Sequence, residues 1–265
     1  MRAPIRSDAL DQAAGLRRLF AAREKRLVPL VANPLLRESS VLLERLASTL
    51  AEDGARLLVV DAADSSPAPL ELADIDLPAC IEPLGRSVRY LAARGLPRRH
   101  VDPRGSSQAW LSAVEQAAPD CDVVLLHASA RDLVRMLGQR EVRPVVLTGV
   151  DSASLTDAYA SVKLLAQRSQ LRTFDLLISE AGRPQRAEAS AQRLASTADS
   201  FLGAVLLHHA CVDARQPAAA PLPLALQRLG RAQLGRAQHA SAVADEPHDH
   251  AAPVPGAPAL SALLY

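Results

Sequence analysis

The turn Asn33-Pro34-Leu35-Leu36-Arg37-Glu38-Ser39-Ser40 stands where an α/β protein would bind phosphate. It links a short apolar run, Arg26-Leu-Val-Pro-Leu-Val-Ala32, to Ser39–Glu52, whose apolar residues recur at helical spacing. A phosphate-binding turn needs glycines, so that backbone N–H groups converge on the anion, and a lysine to reach the β- and γ-phosphates. This turn has neither. Pro34 lacks an N–H, and Glu38 sets a carboxylate where phosphate charge should rest. The hydroxyls of Ser39 and Ser40 are what remains. Asp61 closes the next apolar run, Arg56-Leu-Leu-Val-Val-Asp61, and His127 closes a later one, Asp120-Cys-Asp-Val-Val-Leu-Leu-His127. A carboxylate at a strand end can position water and metal, and an imidazole can act as ligand or base. No Cys, His or carboxylate is spaced to complete a site around His127, which reads as a satisfied strand-end histidine. His208-His209 and His248/His250 read as a strand end and a tail. Pro34, Glu38, Ser39, Ser40, Asp61 and His127 therefore mark a nucleotide-binding scaffold whose pocket has lost its nucleotide. No catalytic residue, metal ligand or cofactor is assigned; bound ATP with Mg²⁺ is the alternative.

The elements that must position these residues follow from apolar periodicity. After Arg56–Asp61 comes a proline-broken loop, Pro67–Pro83, then a weak helix over Gly85–Arg94 and a basic loop, Arg94–Arg104. Ser106–Ala118 reads as a helix, Asp120–His127 as a central strand, and Ala130–Leu137 as a short helix. Arg143–Thr148 is a strand, Asp151–Arg168 the clearest helix, Thr173–Ile178 a strand, Gln185–Phe201 a helix and Ala204–His208 the last strand. This alternation predicts an α/β fold, a mostly parallel sheet with helices on both faces. Ligands on such sheets bind beyond the carboxyl ends of the strands, here Asn33, Asp61, His127 and Thr148.

The 265 residues suit one such domain over 26–213, preceded by a helix-bearing segment, 1–25. The helix, Asp8–Glu24, either packs on its parent or offers an apolar face to a partner. Residues 214–265 change to Pro, Ala and Gln, with a weak helix over Leu222–Ala237 and a disordered tail. Formal net charge is +1, so no overall field favours nucleic acid or anionic lipid. Aromatic content of 3% argues against base-stacking surfaces. Cys80, Cys121 and Cys211 have no metal spacing and read as reduced thiols of a cytoplasmic protein. No run reaches membrane-spanning length and the first residues lack a signal-peptide core, so membrane contact is at most peripheral, at the inner face.

Two motifs go further. One is Asp11-Gln12-Ala13-Ala14-Gly15-Leu16-Arg17; the other is Ser154-Leu155-Thr156-Asp157-Ala158-Tyr159, followed by Val162-Lys163-Leu164-Leu165. Together, over Asp11–Asp213, they resemble the MinD/ParA-like family of P-loop NTPases and, within it, the FlhG (FleN/YlxH) group of flagellar-number regulators. The first is similar to the group's Asp-Gln-Ala-x-x-Leu-Arg segment, which activates the SRP-type GTPase FlhF. The second is similar to its Thr-Ala-Leu-Thr-Asp-Ala-Tyr helix start. The resemblance implies an FlhF-type GTPase partner engaged by Asp11, Gln12, Ala13, Leu16 and Arg17, with Gln12 orienting the attacking water and Leu16 and Arg17 anchoring. Flagellar basal-body or polar-scaffold proteins are the other partners it suggests. It also identifies the departures. The family's Gly-Lys-Gly-Gly-x-Gly-Lys-Thr places its lysines on Pro34 and Ser39 and its glycines on Asn33, Leu35, Leu36 and Glu38. The second aspartate of its Asp-x-Asp falls on Ala63, and the acidic residue ending a later strand is His127. Phosphoryl transfer needs the lysine, metal ligands and oriented water together. The expectation is a non-catalytic pseudo-ATPase that regulates flagellar number or placement. An ATPase with a diverged loop and an inert scaffold protein are the competing readings.

Overall fold

The computed structural model describes residues 25–235. The candidate helix Asp8–Glu24, with Asp11, Gln12, Ala13, Leu16 and Arg17, lies outside them, as does the tail from residue 236 on.

The strands are β1 (Arg26–Val31), β2 (Leu57–Asp61), β3 (Glu82–Pro83), β4 (Val88–Ala92), β5 (Val123–Ala128), β6 (Val145–Thr148), β7 (Thr173–Ser179) and β8 (Val205–Val212). They form one eight-stranded sheet in the order β3-β4-β2-β5-β1-β6-β7-β8. Every pair is parallel except β3–β4. The helices are α1 (Ser39–Glu52), α2 (Leu96–Arg99), α3 (Gln108–Ala117), α4 (Ala130–Leu137), α5 (Ser152–Ser169), α6 (Pro184–Leu202) and α7 (Leu224–Leu234). The α/β class and the mostly parallel sheet read from periodicity are what the structure has.

Covered on both faces, the central strands need apolar residues at every position, which explains the unbroken runs of β2, β5 and β6. Trp110, Leu133, Val162 and Leu194 of α3 to α6 pack one core; Leu42, Leu46 and Leu50 of α1 with Leu226 and Leu229 of α7 pack the other. Pro29 sits inside a central strand without cost. Arg26 and Ala32 donate their amides toward β5, so odd-numbered positions face β6, and pairing with β6 begins only at Leu30.

Three expectations change. Gly85–Arg94 contains a strand, not a helix: Val88 and Tyr90 pack on one core while Leu91 is buried in the other, a period of two. The last strand runs on to Val212, so His208 and His209 lie within it rather than at its end. In the C-terminal helix Gly230 is a contact point. A Cβ there would meet Thr49 Cγ2 at 2.5 Å, so glycine lets α7 press onto α1. Gln233 of α7 also donates to the buried Asp175 carboxylate at 2.8 Å and to the Arg143 carbonyl at 3.2 Å. The layered domain therefore continues past residue 213.

Candidate functional site at the carboxyl ends of the strands

The chain order reverses across β1: β2 and β4 lie on one side, β6 to β8 on the other, and β5 returns beside it. This switch point is where such sheets hold ligands. The turn that crosses it is closed on itself. Asn33, only 3% exposed, donates its side-chain amide to Leu147 O (3.2 Å), Ser154 O (2.9 Å) and Ser154 Oγ (3.0 Å). Its Oδ1 accepts from Leu35 N at 3.1 Å, and its carbonyl accepts from Leu36 N at 3.1 Å. Pro34 and Glu38 are exposed at the rim, Ser39 is buried under the start of α1, and Ser40 is exposed. Pro34 and Glu38 thus lie in the turn and Ser39 and Ser40 open α1, while the Leu35 and Leu36 amides are used by Asn33.

Asp61 and His127 are brought together directly. They sit opposite each other in the β2–β5 register, and His127 Nδ1 donates to Asp61 Oδ1 at 2.7 Å. Asp61 also accepts from the Ser66 hydroxyl and, at 3.2 Å, from Tyr90 OH. Burial alone would raise the Asp61 carboxyl; the hydrogen bonds from His127, Ser66 and Tyr90 outweigh it and hold the group below its ordinary value. The same contact, with burial first, pushes the Tyr90 phenol well above its usual range. His127 is 1% exposed and its Nε2 has no hydrogen-bond partner among the described residues. The carboxylate that sequence spacing did not offer His127 is therefore Asp61, supplied by strand pairing. No group of three His, Cys, Asp or Glu among the described residues could hold a metal ion.

A second polar group lies beside this pair. Asp132, 1% exposed, accepts from Arg98 Nε (3.2 Å), Arg135 (2.7 Å) and Ser129 Oγ (3.0 Å), and Arg98 also binds Asp64. Arg99 pairs with Asp74 at 3.0 Å. Much of the basic loop is thus answered within the fold. On the other side of β1 a cleft of about 480 Å³ opens, lined by Leu35–Glu38, Gly149–Asp151, Ser179–Ala181 and Asp213–Arg215, with Arg183 and Arg186. Asp151 caps α5 by accepting from Ser154 N at 2.9 Å, whereas α1 and α6 begin without side-chain caps. Arg37, Arg183 and Arg215 make no ion pair among the described residues, and Arg186 reaches Glu180 at 3.9 Å. The segment that follows the Asp213–Arg215 rim is held by Arg45, buried on α1. Its guanidinium donates to the carbonyls of Gln216, Pro217, Ala218 and Ala220. Sequence reading missed these arginines because they come from separate parts of the chain, and missed Ser66 and Tyr90 because neither lies in a motif.

Comparison with solved structures places this architecture. The MinD cell division protein of Aquifex aeolicus matches at 10% identity and a TM-score of 0.55, over 80% of this chain and 97% of that one. The cobyrinic acid a,c-diamide synthase of Mycobacterium smegmatis matches at 13% identity and 0.57, over 82% and 96%. The septum site-determining protein MinD of Pyrococcus horikoshii OT3, solved with Mg-ADP, matches at 19% identity and 0.51, over 81% and 97%. The likeness is one of fold: the chain has a MinD/ParA-like α/β fold. No family model matches it, and no curated protein matches it. No helix among the described residues is long and apolar enough to cross a membrane.

Proposed function

We propose that this chain is a non-catalytic regulator on a MinD/ParA-like scaffold. It binds an FlhF-type SRP GTPase through Asp11, Gln12, Ala13, Leu16 and Arg17 and stimulates GTP hydrolysis, and so controls flagellar number or placement. The observation that carries the non-catalytic half is the self-bonded turn. Asn33 uses its side chain on Leu147 and Ser154 while accepting from the amides of Leu35 and Leu36, and no lysine stands in the loop. The sequence motif supports the activating half. Gln12 would enter the partner's site to orient the attacking water, with Leu16 and Arg17 as anchors. This mechanism asks for no nucleotide in the present chain.

The test is GTP hydrolysis by FlhF alone, with the full-length chain, and with its Gln12→Ala variant. Stimulation that disappears in the variant supports the reading; equal rates in all three reactions refute it. The second reading, an ATPase with a diverged loop, draws on the open cleft beside Leu35–Glu38 and its arginines. Equilibrium binding of Mg-ATP and of ATP alone separates the two, since tight binding followed by phosphate release would favour the enzyme.

A further inference from the structure

The two edges of the sheet are finished differently. At one end β3 is two residues long and includes Pro83, so it offers a neighbouring strand almost nothing to pair with. At the other end β8 runs for eight residues, Val-Leu-Leu-His-His-Ala-Cys-Val, without proline or a charged residue. Its two faces are covered. Leu206 and Cys211 pack against the core that holds Ala191 and Leu194 of α6, and Ala210 and Val212 join the core that holds Leu226 and Leu229 of α7. Its edge is open: among the described residues no strand lies beyond it.

The hydrogen bonds show which backbone groups are left over. The Val212 carbonyl accepts from Glu180 N at 3.1 Å, so Val212 faces β7. Ala210 and His208 share that side, and the His208 amide reaches Asp175 Oδ1 at 3.1 Å. Alternation then turns the N–H and C=O groups of His209 and Cys211 outward. Pairing with β7 slips once, between Phe174↔Leu206 and Asp175↔His208, which makes Leu207 the extra residue and leaves His208–Val212 regular. Apolar side chains are exposed on and beside this strand: Leu207 is 44% exposed, Val205 45% and Phe201, at the end of α6, 76%. Protein sheets ordinarily guard such an edge with lysine, proline or a covering loop.

Charge and symmetry decide the occupant. Ser200–Val212 holds no Asp, Glu, Lys or Arg, and Glu188 beside it is answered by His209 at 2.7 Å. The strand offers a charged partner segment no counterpart, whereas two copies of it meet without like charges opposed. A head-to-tail addition would have to use the β3 edge of the next molecule, which is closed. Pairing two β8 strands about a two-fold axis uses the open edge of both copies and terminates. We infer that β8 is a dimerisation edge, on which a second copy of this chain continues the sheet through an antiparallel β8–β8 pair. The outward groups of His209 and Cys211 then gain ladder partners. The contact uses neither the turn at 33–40 nor residues 1–25, so it stands apart from the proposed function.

Sedimentation equilibrium of the full-length chain, from dilute to concentrated solution, tests it together with two variants. Leu207→Lys puts a charge on the edge at an exposed position. His209→Pro removes an outward N–H, a change that edge strands tolerate. The parent is expected to pass from one chain mass to two as concentration rises, and each variant to weaken that association by about tenfold or more. Leu207→Lys decides alone if the proline variant does not fold. Amide exchange gives a reading that needs no variant: the His209 and Cys211 amides should slow as the dimer fills, with Val124 and Leu125 of β5 unchanged. A parent that remains a single chain at every concentration overturns the inference. So does a dimer that Leu207→Lys and a folded His209→Pro both leave intact, since its contact then lies on another face. Slow exchange of the two edge amides in dilute, monomeric protein also overturns it, because another part of the same chain then covers the edge.

Discussion

The two flanks of β1 treat their charges in opposite ways. On the β5–β2 flank almost every ionised group turns inward: Asp61 to His127, Ser66 and Tyr90, and Asp132 to Arg98, Arg135 and Ser129. On the β6–β8 flank Arg37, Arg183 and Arg215 border an open cleft without ion-pair partners among the described residues. A phosphoryl-transfer site needs metal ligands from one flank and a phosphate cradle between them. Here the first flank uses its carboxylates to hold loops together, and the turn between the flanks is bonded to itself.

If the inward flank is structural, breaking it should carry the largest penalty. Asp61→Ala leaves the buried His127 Nδ1 and the Tyr90 hydroxyl without their acceptor. Removing one member of a buried pair typically costs about 3–5 kcal/mol. Urea unfolding should show a loss of that order, with the m-value unchanged. Next comes Asn33→Ala, which deletes a buried amide that serves Leu147 and Ser154 and unpairs the Leu35 amide. A loss of about 1–3 kcal/mol is expected by the same measurement. A near-zero effect at Asn33 would mean that the turn is held by Pro34 and the burial of Leu36 instead.

The inward flank should also show in acid. The folded Asp61 carboxyl lies below its unfolded value, so the stabilisation is complete above the unfolded carboxylate pKa of about 4. It is lost as pH falls from there through the lower folded value. The stability gap between the parent and Asp61→Asn should therefore be constant from pH 7 down to about 5 and narrow below 4. A gap that stays constant below pH 4 would mean that the Asp61 carboxyl is not held below its ordinary value.

Much of this architecture was readable from the chain. Long apolar runs such as Val123–Leu126 and the helical stripe of Asp151–Arg168 announce themselves, because burial on both faces or on one face imposes the pattern locally. The strand β4 was not readable, since Arg89 interrupts its short apolar run and a partly exposed strand near a sheet edge tolerates that. The absence of glycine and lysine from the turn was legible at once. How the turn satisfies itself was not, because Asn33 meets Ser154 across 121 residues. Asp61 and His127, 66 residues apart, become neighbours only once β2 and β5 pair in one register.

The smallest expected effect belongs to the open flank. Arg183→Ala and Arg215→Ala remove exposed guanidinium groups with no partner to strand, and surface changes of that kind usually stay within about 0.5 kcal/mol. Removing both should give the same small figure, since neither shares a bonded network with the other. Thermal unfolding of the double variant would check this. A loss well above 1 kcal/mol would mean that these arginines hold Asp213–Arg215 against the cleft, as Arg45 holds the Gln216–Ala220 segment that follows, and both flanks would then be structural. A neutral result keeps the contrast: one flank has turned its charges to folding, and the other still presents them to solvent.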